Sequence, residues 1–207
     1  MKKLILPLAL SFVISSTSYA EDIRVEAIDS LSTARTFVEK GKYSKAIEEI
    51  NYALAKINEL TAEGLLKFIP SPPAGYTLDH KQSQGTGAGG AIAGNAGASA
   101  SYSHPDGTSI NLNIAIGGMT GKMASLAAFT QMFAGLAPTG EGAQSKQIRI
   151  QGYTGTEMYN SQEKSGTITF QIGAKTSVTI EGSNIASSDI LKQLAKNIDF
   201  AGLEKNY

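Results

Sequence analysis

The chain has 207 residues, and its 18 lysines and arginines balance 18 aspartates and glutamates, with two histidines and no cysteine. Dispersed basic residues, with Arg24, Arg35 and Arg149 as the only arginines, exclude a nucleic-acid binder, which gathers positive charge on one face. Without disulfides the fold must rest on a packed core, which a chain of this length can supply.

Residues 1–20 have the make-up of a secretory signal peptide. Lys2 and Lys3 form the positive region, Leu4 to Ile14 the apolar stretch, and Ser18-Tyr19-Ala20 a small-x-small cleavage site before Glu21 and Asp22. This predicts export to the periplasm or beyond, with cleavage near Ala20. The apolar stretch falls short of the ~20 residues of a spanning helix, and no later stretch reaches that length, so no transmembrane segment is expected.

From Asp22 to about Leu66 apolar residues recur with helical spacing. Ala27, Ile28, Leu31, Ala34 and Val38 form one stripe, Gly41 interrupts it, and Ile47, Ile50, Leu54, Ile57 and Leu60 resume it. This predicts a helical hairpin over residues 21–66, with Gly41 in a left-handed turn and Ser44 capping the second helix. The prolines of Phe68-Ile69-Pro70-Ser71-Pro72-Pro73 end helix formation, so residues 67–76 are read as a joint. Its apolar ends, Phe68, Ile69 and Tyr76, predict that it packs against something.

Beyond the joint, over residues 77–207, the period falls to two. Ile110, Leu112, Ile114 and Ile116 alternate with polar or small residues, and Ala98, Ala100 and Tyr102 suggest a hairpin partner across the turn His104-Pro105-Asp106-Gly107. Further strands are predicted over 146–151, 154–160, 166–172 and 176–181, with a meander as the simplest topology. Two helices join the sheet: Met119 to Leu136, and a last one capped by Ser187 or Ser188 that carries Leu191, Leu194, Ala195 and Ile198 on one face. The expected fold class is α+β, a helical hairpin followed by an antiparallel sheet with both helices on its dry face.

The chemistry-bearing patterns point away from an enzyme. Gly85-Thr86-Gly87-Ala88-Gly89-Gly90-Ala91-Ile92-Ala93-Gly94 satisfies G-x-G-x-x-G, but no helix-opening pattern follows, so no dinucleotide or other cofactor is expected. Met119, Met123 and Met132 interleave with Leu126, Phe129 and Phe133 as core fillers do, while His80 and His104 sit on separate segments, so no metal site is expected. No serine lies in a G-x-S-x-G elbow, and Ser161 to Gly166 packs two penicillin-binding-like motifs into one turn. Glu157 and Glu181, out of phase with the large apolar residues of their strands, are assigned to the wet face.

Gly41, Tyr43, Ala46, Ile47, Ile50, Ala53 and Leu54 fall where a tetratricopeptide-type repeat places its packing residues, so the hairpin resembles one such repeat. A lone repeat implies docking on its own sheet, a twin or a partner. The element order of the second part, strand, turn, strand and helix over Gly166 to Asp199, is similar in layout to the PsbP/Mog1-type αβα sandwich, which implies a binding or assembly role. The expectation is a non-catalytic interaction module of the cell envelope, with another envelope protein or a second copy as partner. Its candidate surface comprises Tyr43, Tyr52, Gly85, Gly87, Gly89, Gly90, Ile92 and Gly94. The alternative is a small-molecule or lipid carrier with its site between the 119–136 helix and the sheet, and a hydrolase using His80 or His104 ranks third.

Overall fold

The computed structural model describes residues 16–85, 96–117 and 143–207. Helix α1 spans Ser16–Glu39 and α2 Tyr43–Leu65. Between them Gly41 adopts φ +68°, the Gly41 amide donates to the Val38 carbonyl at 3.0 Å, and the Lys42 amide donates to the Phe37 carbonyl at 2.8 Å. This pair of bonds is a Schellman stop, which satisfies carbonyls at the end of α1 and needs a residue free to enter the left-handed region. The stop leads straight into α2. Lys42 therefore takes the N-cap position without a side-chain bond, and Ser44, expected to cap this helix, lies inside it.

A single 3-10 turn at Leu66–Phe68 passes into the proline segment. Phe68, Ile69 and Pro70 are buried, and the buried Tyr102 hydroxyl donates to the Pro70 carbonyl at 2.9 Å. The joint thus packs as its apolar ends predict.

Seven antiparallel strands follow: β1 Thr77–Gly85, β2 Ala96–Ser103, β3 Ser109–Ile116, β4 Ala143–Ile150, β5 Tyr153–Asn160, β6 Ser165–Ile172 and β7 Thr176–Ser183. The order across the sheet is β1-β2-β3-β7-β6-β5-β4. This corrects the expected meander: two hairpin-linked runs meet where β3 pairs with β7, and β4 forms the edge farthest from β1. Period-two patterning fixes which face each strand buries but does not fix its neighbours, so that order lay beyond the sequence. Strand β1 was not foreseen either. Its residues are almost all exposed, and no alternation marks it.

Two short helices, α3 Asp189–Lys196 and α4 Phe200–Asn206, complete the described fold. One core joins Leu65, Phe68, Tyr102, Leu112, Phe170, Ile180, Leu191 and Phe200, so α2, α3 and α4 share the buried face of the sheet. The α+β class and the hairpin are as expected. The predicted 119–136 helix lies outside the described residues, and α4, capped by Asp199 accepting from the Gly202 amide at 2.8 Å, was missed.

Candidate functional site

Helices α1 and α2 meet through small side chains. Ile23, Ala27, Ser30 and Ala34 on α1 and Ala46 and Ala53 on α2 are buried, with Phe37 and Glu49 half-buried on the same stripes. Across the outer edge of this seam Lys56 Nζ lies 2.9 Å from Glu26 Oε2, to which the Tyr52 hydroxyl also donates at 2.8 Å. Lys56 holds the Glu26 carboxyl below its ordinary range, and Glu26 in turn raises the Lys56 ammonium and the Tyr52 phenol. Alanines in the seam let the backbones approach closely and send the larger residues elsewhere.

Those larger residues form the candidate surface. Ile28 follows Ala27, Leu31 follows Ser30, Val38 follows Phe37, Ile47 follows Ala46, Ile50 follows Glu49 and Ile57 follows Lys56. One residue beyond the seam turns each by about 100°. In an antiparallel pair of right-handed helices that rotation carries both sets to the same side. The result is one apolar face across both helices, with Ile28 58% and Ile47 57% exposed. Among the described residues every exposed large hydrophobic lies between Tyr19 and Ile57.

The sheet covers only part of α2. Asn58, Ala62 and Leu65 are buried, and the Gly85 end of β1 abuts the helix so closely that a Cβ there would lie 2.9 Å from Glu59 Cα. Ile47 and Ile50 precede that contact along α2, toward the turn, and Ile57, two residues before Glu59, is still exposed beside it.

The candidate residues chosen from sequence divide accordingly. Tyr43 is exposed at the start of α2, on the side of Ile47. Tyr52 is exposed but lies on the other side, tied to Glu26, and the structure does not bring it to the apolar face. Gly85 closes β1 beside α2, whereas Gly87, Gly89, Gly90, Ile92 and Gly94 lie outside the described residues. The isoleucines were visible as a helical stripe. Sequence reasoning left open whether that stripe docks on the sheet, a twin or a partner, and alanines filling the seam were the signal that could have placed it outside.

Two other clusters carry chemistry. On the outer face of the sheet a cleft of about 450 Å³ is lined mainly by polar residues, among them His80, Gln82, Ser99, Ser101, Asn111 and Glu181. Glu181 therefore stands on the wet face, as expected. Glu157 does not: it is 2% exposed and lies on the buried face, in register with Ile168, Ile180 and Leu112 of successive strands. The expectation phased β5 on Met158, but Tyr153, Gly155, Glu157 and Tyr159 are its inward residues, and Gly155 is bare because the Phe170 ring occupies the space where its Cβ would project. Ser188 at the N-cap of α3 donates to Glu157 Oε1, Lys146 Nζ lies 3.2 Å from the same oxygen, and Lys192 Nζ lies 3.4 Å from Oε2. Two ammonium groups and a hydroxyl thus compensate a carboxylate removed from water. The cluster fastens α3 to β5 and the edge strand β4.

His80 lines the outer cleft, and His104 packs at a tilt against Tyr76 with ring centres 5.0 Å apart while its Nδ1 lies 2.8 Å from Asp106 Oδ1. Among the described residues no helix is long and apolar enough to cross a membrane. Compared with protein-family models, with curated proteins and with solved structures, the chain matches none of them.

Proposed function

We propose that the chain is an exported, non-catalytic interaction module of the cell envelope that docks through the apolar face of its helical hairpin. The observation that carries this reading is the concentration of exposed Ile, Leu and Val side chains on one side of α1 and α2. Monomeric proteins rarely leave a contiguous apolar patch of this kind open to water. The signal-like composition of residues 1–20 supports the location, and cleavage after Ala20 leaves all six face residues on the mature chain. Cross-linking in intact cells followed by mass spectrometry tests both parts. The expected result is a mature chain beginning at Glu21 and cross-linked through hairpin lysines to a protein partner. Recovery of uncross-linked monomer alone overturns the docking role, and an intact Met1 overturns export.

A second reading, a small-molecule carrier, draws on the outer cleft. Its hydroxyl, amide, imidazole and carboxylate lining suits a polar, hydrogen-bonding ligand over a lipid tail. Native mass spectrometry of the purified chain decides it: a copurified mass lost on Asn111→Leu supports the carrier, and a bare chain removes it.

A further inference from the structure

We infer that the occupant of the hairpin's apolar face is the same face of a second copy, laid antiparallel across it. The inference rests on the reading of this face as a docking surface and adds the identity of the partner.

Charge along the hairpin supplies the reason. The turn end, residues 35–45, carries Arg35, Lys40, Lys42 and Lys45 against the single acid Glu39. The open end carries Glu21, Asp22, Glu26 and Asp29 on α1 with Glu59 and Glu63 on α2, against Arg24 and Lys56. These two bases are already engaged, Arg24 with Glu21 at 2.9 Å and Lys56 with Glu26 and Glu59 at 2.9 and 3.5 Å. At the turn only Arg35 is paired with an acid in this way, to Glu39 at 2.9 Å, among the described residues. The hairpin is therefore positive at its turn and negative at its base, with the apolar ridge between. Two hairpins side by side in the same direction would set like charges together, whereas a two-fold antiparallel pairing sets each basic turn against an acidic base twice over. Glu48 follows Ile47 and Glu49 precedes Ile50, and both point off the ridge, so no acid interrupts the apolar contact.

The geometry makes a residue-level demand. The two-fold axis passes near the middle of the face, beside Leu31 and Ile50, and far from Val38 at the turn. The chain has no native cysteine, so single-cysteine variants report on it directly. Under mild oxidation of the full mature chain, Leu31→Cys should form a disulfide-linked dimer, while Val38→Cys should remain largely unlinked because antiparallel pairing holds the two copies of this residue apart. Sedimentation velocity of the parent chain should show a concentration-dependent dimer, loosened by rising salt. Ile47→Glu should weaken the dimer ~30-fold or more, as a central apolar residue replaced by a charge does, with circular dichroism confirming that the fold is kept.

A monomer at all concentrations overturns self-pairing, as does equal disulfide formation at both cysteines, which would mean parallel or random contact. An intrachain cross-link from Lys45 to Lys122 would give the face to residues 118–142 of the same molecule and also overturn it. A monomer that still captures a different envelope protein through Leu31→Cys in cells removes only the second copy and leaves the docking surface standing.

Discussion

The hairpin and the sheet bury opposite kinds of side chain. In the sheet the large residues go inside: Tyr102, Ile110, Ile114, Phe170 and Ile180 are fully buried beneath α2, α3 and α4. In the hairpin seam mostly alanine goes inside, beside Ile23, while Ile28, Leu31, Val38, Ile47, Ile50 and Ile57 stand in water. Both patterns are amphipathic, and periodicity alone scores them alike. What separates them is the size of the residue at the seam, because alanine brings helices together without hiding the bulk beside it. The sheet region therefore reads as a completed core, and the hairpin reads as half of one.

The largest effect that would break this contrast lies in the core. Phe170 packs against Phe200 with ring centres 4.9 Å apart, over the bare backbone of Gly155. Phe170→Ala should lower unfolding stability by about 3–5 kcal/mol through lost burial and a cavity. Ile47→Ala, trimming an exposed side chain, should change it by no more than about 0.5 kcal/mol in a monomeric sample. Urea denaturation at low protein concentration measures both. Equal losses would mean that the hairpin face is already covered within the molecule.

A smaller effect sharpens the same contrast within the sheet, between its two faces. Glu157→Ala leaves Lys192 and Ser188 without their shared acceptor under α3 and should cost about 1–3 kcal/mol, a range kept low because Lys146 is more than half exposed and can turn to water. Glu181→Ala, on the wet face, should stay within about 0.5 kcal/mol. If the two substitutions cost the same, the assignment of Glu157 to the buried face is wrong.

Legibility in the sequence followed from how directly a residue's neighbours decide its place. The Schellman stop at Gly41, the turn at His104 to Gly107 and the inward residues of β3 depend on local geometry and were readable. The pairing of β3 with β7 depends on contacts far apart in the chain, and no local pattern encodes it. Glu157 was misplaced because Met158 was weighed above Tyr153 and Tyr159, although both tyrosines face inward. The Tyr153 hydroxyl reaches Glu204 at 2.6 Å and the Tyr159 hydroxyl reaches the Ala186 carbonyl at 2.7 Å, so each finds a partner at the rim of the core. Of the apolar face, the helical stripe was legible and its exposure was not, since exposure depends on what the sheet leaves uncovered along α2.

The smallest expected effect concerns acid, and it sets one carboxylate from each region side by side. Asp106, in the β2–β3 turn, accepts the Thr108 amide at 2.8 Å; this bond first, then the Thr108 hydroxyl and His104, lowers its carboxyl from 3.8 to about 2. Glu26, in the hairpin, is lowered chiefly by Lys56 and then by the Tyr52 hydroxyl. A carboxyl whose folded value lies below its unfolded one adds stability that is fully present above the unfolded value and is lost as pH falls through the folded one. For Asp106 that window runs from 3.8 down to about 2. Carbon-detected carboxyl titration should therefore place Asp106 near the lower end of it, and Asp106→Asn should flatten the acid limb of the stability curve there. Glu26 should respond to Lys56→Met by moving back toward its ordinary value, while Asp106 stays where it is. Movement of both would show that the hairpin and the β2–β3 turn are electrostatically coupled, and the hairpin could then no longer be treated as a surface that presents its charges independently of the sheet.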